Sequence, residues 1–248
     1  MAMIAVSVVS HGHGAMVSQL VGQLAECPEV AQIIVTLNIP ETFSGFDGNK
    51  VEVITNSDRP RGFGENHNAA FLRCRQKYFC PMNPDIELQG NPFPALISSL
   101  LEHNADIAAP LVRSPSGQIE DYARRFPTLP RLLAKVFGGD GGRYSINPMD
   151  PVFFPEWFAG MFMLFRSASF AKLKGFDEGF FLYYEDVDIC VRAWQQGMRL
   201  LSRPDVCVVH DARRESRRDF KYLRWHLASM LRYFRKHLGR LPAVSSAR

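Results

Sequence analysis

The sequence lacks long apolar runs, cysteine pairs and internal repeats, and each absence narrows what the chain can be. No apolar stretch approaches the roughly 18 residues that a membrane-spanning helix needs. The five cysteines are odd in number and form no Cys-x-x-Cys pair. Most of them lie in apolar patterns, which predicts reduced, mostly buried thiols in a cytoplasmic protein.

The N-terminus also lacks a basic leader. The opening stretch "MAMIAVSVVSHGHG" is apolar, but a His-Gly stretch interrupts it early. It therefore predicts a first buried strand and not a signal peptide.

Positive charge is concentrated in the C-terminal tail. The formal net charge is +4, yet ten Lys or Arg face two acids between Arg213 and Arg240. The rest of the chain is mildly acidic, so the basic character belongs to the tail.

Short β-branched runs alternate with helical spacing through the first half of the chain. This alternation predicts an α/β fold with a doubly wound, mainly parallel, Rossmann-like sheet, which binds ligands at the carboxyl ends of its strands. Strands are predicted at 4–10, 31–37, 50–55, 77–82, 105–112 and 156–167, and helical stretches at 11–27, 67–76, 92–103, 168–175 and from 185 onward. Residues 113–155, rich in Pro and Gly, break the pattern, so they form either a loop that covers substrate or a plain mobile segment.

The stretch "FFLYYEDVDIC" places three carboxylates directly behind aromatic residues. Helical phase places Asp186 at the border of the buried face, whereas Glu185 and Asp188 point away from it, and Asp188 pairs with Arg192 four residues on. A carboxylate beside an apolar cleft suits a general base. Acids in a first helical turn also satisfy the helix dipole, so a structural role is an equal alternative.

Two further polar groups follow predicted strands. Asn83 and Asp85 in "MNPDI" offer the oxygen donors that suit Mg²⁺ or Mn²⁺ on a diphosphate, or else form an Asx-Pro turn. His210 ends an apolar strand, where a lone histidine is more often structural. Together with Asp85 it becomes a candidate metal ligand.

Taken in order, these motifs resemble family 2 inverting glycosyltransferases with the GT-A fold, over about residues 3–238. The stretches that carry the resemblance are "RGFGENHNAA", "NPD", "FAGMFMLFR", "GFDEGFFLYYEDVDICVRAWQQG" and "SRPDVCVVH". The resemblance is strongest to the bacterial rhamnosyltransferase-like branch, which builds surface polysaccharides such as O-antigen. It implies a transferase domain at 1–212, with a nucleotide-sugar half (1–111) and an acceptor and catalytic half (112–212). A basic helix and tail follow at 213–248.

The resemblance also assigns roles to single residues. Asp186 becomes the base, with Glu185 beside it, and Asp85 and His210 hold the divalent ion. The donor side comprises His11, Asn38, Gly62, Gly64, Asn68, Asn83 and Asp85, and the acceptor side comprises Trp157, Gly160 and Tyr184.

The implied reaction moves a sugar, with inversion, from a nucleoside-diphosphate sugar to a saccharide or lipid-linked acceptor. The branch favours dTDP-rhamnose over UDP-sugars as the donor. One departure concerns nucleotide recognition, because Leu37-Asn38 stands where the family often has Asp-Asn.

Three other functions fit less well. A sugar nucleotidyltransferase would need basic residues in the loop after the first strand, and "SHGHGAMVS" has none. A non-catalytic nucleotide-sugar-binding or membrane-associated scaffold would be expected to lose Asp85 or Asp186, and both are present. The basic tail alone suggests nucleic acid, and a membrane-surface helix explains it better, so no nucleic-acid partner is predicted.

The tail predicts a long helix with one apolar stripe and a basic surface. The stripe is Leu223, Leu227, Met230, Leu231, Phe234 and Leu238, and the basic residues are Arg217, Lys221, Arg224, Arg232, Arg235 and Lys236. Such a helix docks on its own domain, pairs with a second subunit as a homodimer, or lies on the anionic inner face of the bacterial membrane as a peripheral contact.

Overall fold

The computed structural model describes residues 3–43, 49–211 and 220–244, and an eight-stranded sheet lies at the centre of this part of the chain. The strand order in that sheet is β3-β2-β1-β4-β9-β6-β10-β5, and β7 and β8 pair separately. The strands are β1 (Ile4–Ser10), β2 (Val30–Leu37), β3 (Val51–Thr55), β4 (Tyr78–Met82), β5 (Ile86–Leu88), β6 (Ile107–Arg113), β7 (Ala123–Arg124), β8 (Trp157–Phe158), β9 (Leu164–Arg166) and β10 (Leu200–His210). The helices are α1 (Ala15–Glu26), α2 (Phe63–Phe71), α3 (Phe93–Glu102), α4 (Leu129–Val136), α5 (Ser167–Lys172), α6 (Glu185–Gln195) and α7 (Phe220–His237).

The predicted α/β architecture with a mainly parallel sheet is confirmed. Within the described residues, four of the seven neighbouring strand pairs are parallel. The sheet becomes mixed because β9 runs antiparallel between β4 and β6, and β5 pairs antiparallel with β10 at the edge. Every residue of β4 is buried, as are all but one of β1, as expected for strands covered on both faces.

Two predicted boundaries were wrong. Helix α2 begins at Phe63 and ends at Phe71, whereas 67–76 was predicted, because Gly62 and Gly64 belong to its packed N-terminus and not to a loop. The predicted strand 156–167 divides into β8 and β9. Between them Met161 N–H donates to Ala159 O at 2.8 Å, which closes a tight turn.

The segment 113–155 is partly regular. It contains β7 and the helix α4, which Thr128 caps by accepting the Arg131 N–H at 3.3 Å. No residue of α4 is buried, and Leu133 and Val136 are 62% and 78% exposed. A helix with so little burial is held by its two ends more than by its faces.

Helix α7 docks on the segment that precedes α6, through a different face from the predicted apolar stripe. Ser229, Tyr233 and His237 are buried. Tyr233 Oη donates to Pro127 O at 3.2 Å, and Ser229 Oγ donates to Leu182 O at 2.9 Å. Of the predicted stripe, Met230 and Phe234 are partly buried against the core. Leu223, Leu227, Leu231 and Leu238 face outward instead and are between 49% and 62% exposed.

The predicted basic residues of the tail fall on α7, except Arg217, which lies outside the described residues.

All five cysteines are free thiols. Among the helices of the described ranges, none has both the length and the apolarity that crossing a membrane requires.

Candidate active site

The start of α6 is held in an unusual backbone conformation. Tyr183 and Tyr184 both have left-handed backbone angles, with φ of 71° and 66°. Each costs about 1–3 kcal/mol for a non-glycine residue, and such strain clusters at functional sites. The strained pair turns the chain so that the first turn of α6 meets the loop between β8 and β9.

Asp186 is the half-buried carboxylate of this turn. Its Oδ2 accepts the Gly160 N–H at 3.0 Å, and its Oδ1 accepts the Val187 N–H at 2.8 Å. Burial raises the pKa of Asp186 to about 6 despite these hydrogen bonds. The carboxylate is therefore oriented, reachable from the cavity and ionised at neutral pH, which are the requirements for a general base.

The sequence-based orientation of Glu185 was wrong. Glu185 is buried, at 4% exposed, and its Oε2 has no hydrogen-bond partner. Burial, followed by the neighbouring charge of Asp186, raises the pKa of Glu185 well above its ordinary value. A carboxyl that holds its proton this tightly and lies buried is poorly suited to accept one, so Asp186 is the stronger candidate.

The orientation of Asp188 was also wrong, because this side chain is fully buried and does not lie on the outer face. Its predicted partner Arg192 is present at 2.7 Å, and Lys236 and His237 contact the same carboxylate. Burial alone would raise the pKa of Asp188, but the His237 hydrogen bond and the charge of Arg192 lower it to about 2.

A cavity of about 230 Å³ opens in front of Asp186. One wall holds the aromatic side chains of Tyr183, Tyr184 and Trp157 beside Glu185 and Asp186. The rest of the lining comes from the 113–155 segment and from α7, and it adjoins the aromatic residues, since Arg124 pairs with Trp157 between β7 and β8 and His226 packs against Tyr184 at 5.4 Å. These lining residues are Arg124, Arg125, Pro127, Arg131, Leu132, Lys135, Gly141 and His226.

Two of the three predicted acceptor-side residues line this cavity, and the third contacts Asp186. Trp157 and Tyr184 line it, and Trp157 Nε1 donates to Arg125 O at 2.9 Å. Gly160 lies behind Asp186. A side chain at Gly160 would press on the Phe63 ring at 3.1 Å and approach Asp186 at 3.7 Å.

Asp85 and His210 come together at the carboxyl ends of their strands. Asp85 Oδ1 lies 3.3 Å from His210 Nε2, and Asp211 N–H donates to Asp85 O at 2.9 Å. Asn83 lies in the same turn, where its N–H donates to Met161 O at 2.9 Å. On the other side of the imidazole, Glu120 Oε2 lies 3.5 Å from His210 Nδ1.

This pair fits a divalent ion that is shared with a phosphate. Asp85 Oδ1 and His210 Nδ1 are buried without a hydrogen-bond partner. Among the described residues no three acidic, histidine or cysteine side chains converge as a complete metal cage. Mg²⁺ and Mn²⁺ sites commonly combine a few protein ligands with oxygens of the substrate. One carboxylate and one imidazole would supply such a partial set of protein ligands.

Asn38 belongs to a buried amide network. Its Oδ1 accepts the Arg61 N–H at 2.7 Å and an Asn56 Nδ2–H at 2.9 Å, and Asn56 also donates to Asn66 Oδ1 at 2.8 Å. His11 is exposed at the edge of this network, with its Nδ1 3.3 Å from Asn38 Nδ2. The network fixes the turn between β3 and α2, and it explains why a buried Asn66 occupies this helix.

The other predicted donor-side residues contact the segment before α6. A Cβ at Gly62 would lie 2.7 Å from Phe181 O, and one at Gly64 would lie 2.6 Å from Phe176 Cβ. Asn68 Nδ2 donates to Phe176 O at 2.9 Å. These described contacts are internal ones, and a nucleotide contact by the three residues stays a prediction.

Sequence reasoning missed Glu120, Arg124 and His226. They sit in segments without a local motif, and only the folded chain brings them to His210 or to the cavity. The Arg-rich composition of "YARRF" was the one signal available.

Comparison with known proteins decides the family. The model of glycosyl transferase family 2 matches residues 36–170, more than half of the chain, and that of the N-terminal domain of galactosyltransferase matches 144–215. The chain belongs to glycosyl transferase family 2. The rhamnosyltransferase WbbL of Escherichia coli (strain K12) is 30% identical over 256 residues, which cover 93% of this chain and 92% of WbbL.

A second family 2 relative matches a shorter stretch. It is the N-acetylglucosaminyl-diphospho-decaprenol L-rhamnosyltransferase of Mycobacterium tuberculosis (strain ATCC 25618 / H37Rv). The two are 30% identical over 146 residues, or 55% of this chain and 48% of the relative.

Solved structures share the GT-A fold with this family 2 chain. GalNAc-T7 with UDP, GalNAc and Mn²⁺ has a TM-score of 0.66 at 15% identity, covering 86% of this chain and 44% of that one. The mannosyltransferase PcManGT of Pyrobaculum calidifontis, in complex with GDP-Man and Mn²⁺, has a TM-score of 0.62 at 13% identity, covering 99% and 66%. The predicted family, GT-A fold and enzyme class are thereby confirmed: this is a glycosyltransferase that uses a nucleotide sugar.

Proposed function

We propose that this family 2 enzyme transfers L-rhamnose from dTDP-rhamnose to a lipid-linked saccharide during the synthesis of a cell-surface polysaccharide. Support for the sugar comes from the two rhamnosyltransferase relatives, and support for the lipid-linked acceptor from the printed name of the mycobacterial one. UDP-sugars are the second class of donor. The site observation that carries the proposal is Asp186, oriented by Gly160 and open to the cavity.

We assign the general base to Asp186. Its Oδ oxygens take the proton from the acceptor hydroxyl as that oxygen attacks the anomeric carbon of the donor. The bond from the anomeric carbon to the diphosphate breaks at the same time, so the configuration at that carbon inverts. No covalent enzyme intermediate is needed. The aromatic wall of Tyr184 and Trp157 holds the acceptor sugar.

We assign the donor diphosphate to the edge of the sheet at Asp85. Asp85 and His210 would hold a Mn²⁺ or Mg²⁺ ion, which supplies positive charge next to the leaving diphosphate when it is bound. Glu120 Oε2 lies 3.5 Å from the other ring nitrogen of His210 and places a negative charge beside the imidazole. Residues 1–111 would then form the donor half and residues 112–212 the acceptor half.

We further propose that the outward stripe of α7 rests on the inner face of the bacterial membrane. Leu223, Leu227 and Leu231 present an apolar face, while Lys221 and Arg224 flank it with positive charge. An apolar face with basic borders matches an anionic lipid surface, where each basic residue contributes about 1 kcal/mol. A homodimer through the same stripe is the alternative.

The decisive experiment is a thermal-shift screen of nucleotide sugars, with and without Mn²⁺, followed by transfer assays on the sugar that stabilises most. A ligand that binds the folded chain raises its melting temperature by mass action. We expect dTDP-rhamnose with Mn²⁺ to give the largest shift. An equal shift from every nucleotide sugar, or none from any, would contradict the proposed donor.

A further inference from the structure

The part of the cavity lining that comes from the 113–155 segment is strongly basic, and we call it the basic wall. Arg124, Arg125, Arg131 and Lys135 all belong to the lining. Within the described part of the chain, Arg131 is the one of the four that forms an ion pair, with Glu156 at 3.2 Å. Three positive charges therefore border the cavity without an ion-pair partner among the described residues.

The three uncompensated cations are positioned by the fold. Arg124 Nη2 donates to Gly141 O at 2.6 Å, while its Nε is buried without a hydrogen-bond partner. The Arg125 guanidinium lies over the Tyr144 ring at 4.8 Å. Lys135 lies beside Arg124 at Gly141, where an added Cβ would meet Lys135 Cδ at 3.1 Å and Arg124 Nη2 at 3.2 Å.

The cavity lining thus combines two kinds of chemistry. Asp186 can accept a proton from a neutral hydroxyl, whereas the guanidinium and ammonium groups match the oxygens of a phosphate. Asp85 and His210, the proposed holders of the donor diphosphate, are not among the residues that line this cavity. The basic wall therefore offers a second phosphate-binding surface on the acceptor side.

We propose that Arg124, Arg125 and Lys135 bind the diphosphate that links the acceptor sugar to its lipid, so that the enzyme requires an anionic acceptor. This inference rests on the proposed transfer to a lipid-linked saccharide and names the group that the site recognises. The exposed side chains of Leu133, Val136 and Phe137 lie next to Lys135 along α4 and its end, 62%, 78% and 87% exposed. They provide an apolar surface for the first part of the lipid.

The inference is tested by the binding of farnesyl diphosphate to the full-length chain, measured calorimetrically in EDTA so that a metal-dependent donor site does not contribute. We expect Arg124→Gln and Lys135→Gln each to weaken binding about tenfold, which is the loss of one charge-assisted contact. Arg124→Lys should retain more affinity than Arg124→Gln. Lys172→Gln, at an exposed position on α5, is the matched control and should bind like the wild type.

Two further ligands separate the sources of the phosphate. Inorganic diphosphate that binds as tightly as farnesyl diphosphate would assign the wall to free diphosphate and overturn the lipid acceptor. Farnesol that binds as tightly would assign binding to the lipid alone. Wild-type protein that binds no farnesyl diphosphate, or variants that bind it unchanged, would overturn the subsite. These measurements need no donor and no transfer, so failure of the proposed function would be detected separately, by wild-type protein that turns over no nucleotide sugar.

Discussion

Asp188 and His237 are joined by a 2.7 Å hydrogen bond between a fully buried carboxylate and a buried imidazole. The bond ties the acidic motif at the start of α6 to the last turn of α7. Lys236 Nζ reaches the same Asp188 oxygen at 2.6 Å, and Asp177 binds Lys236 as well. The C-terminal helix is therefore fastened to the segment that presents Asp186.

Replacing Asp188 should be among the most destabilising changes in the chain. Asp188→Ala leaves Arg192 and His237 in a buried site without their carboxylate, which costs about 3–5 kcal/mol. Urea denaturation followed by circular dichroism measures this loss. Asp205→Ala, which breaks an exposed pair with Arg203, is the control and should cost less than about 1 kcal/mol. Equal losses in the two variants would contradict the structural role of Asp188.

Removing the proposed base should abolish transfer without preventing donor binding. Asp186→Asn keeps the size of the side chain but accepts no proton, so kcat should fall on the order of 10²–10⁴-fold. The kcat of Glu185→Gln should fall much less, because Glu185 is buried and its raised pKa favours the neutral form. Rapid-quench transfer assays and nucleotide binding by calorimetry measure the two properties. A variant of Asp186 that keeps more than about a tenth of wild-type turnover would move the role elsewhere.

Asp186 should also give the stability of the protein a characteristic pH dependence. Its pKa is about 6 in the folded chain against 3.8 ordinarily, so the folded state holds its proton more tightly than the unfolded state. Ionisation therefore destabilises the fold as pH rises from about 4 to 6, and the penalty is absent below that window. Asp186→Asn should be more stable than the wild type at pH 8, with the difference shrinking towards pH 4. Thermal melts across this range that show a constant difference would contradict the raised pKa.

The proposed ion site predicts graded effects on metal affinity. Asp85→Ala should remove the Mn²⁺ dependence of nucleoside-diphosphate binding, and His210→Ala should reduce it. Glu120→Gln should weaken Mn²⁺ about 10–100-fold, the usual cost of losing a carboxylate behind a histidine ligand. Titration of Mn²⁺ in the presence of saturating nucleotide measures all three. Glu102→Gln, exposed on α3, is the control, and identical nucleotide affinity in EDTA and in Mn²⁺ would refute the assignment.

The membrane contact is best tested on the outward stripe of α7. Truncation of the tail would remove the buried Tyr233 and His237 as well, so we favour Leu227→Ser with Leu231→Ser. Sedimentation with anionic vesicles should fall several-fold in this double variant and should weaken with salt for the wild type. Leu72→Ser, at an 87% exposed position outside α7, is the control. Unchanged sedimentation together with a loss of dimers would assign the stripe to a second subunit instead.

Local patterns predicted the sheet well because each strand and helix carries its own periodicity. They also located Asp186, since a helix start is visible in sequence. They failed on Glu185 and Asp188, because helical phase describes one apolar face and not the extra cover that α7 provides. The buried side of α7 escaped prediction for the same reason: Ser229, Tyr233 and His237 are polar, and only their partners make burial favourable.

The basic part of the cavity could not be predicted from sequence. Arg124 and Lys135 come from a segment whose composition indicates only irregularity, and β7 and α4 bring them to the cavity that Asp186 lines. Glu120 likewise has a proposed role only because the fold places it beside His210, some 90 positions away along the chain. Groups with no local pattern acquire a role through long-range contacts alone.

His226 places part of the C-terminal helix in the wall of the cavity that Asp186 faces. If this cavity binds the acceptor as proposed, acceptor preference is shared between the catalytic core and the C-terminal helix. A chimera that takes its core from one related enzyme and its α7 from another would line this cavity with residues from two different enzymes. Transplanting specificity requires that the helix and the core move as one unit.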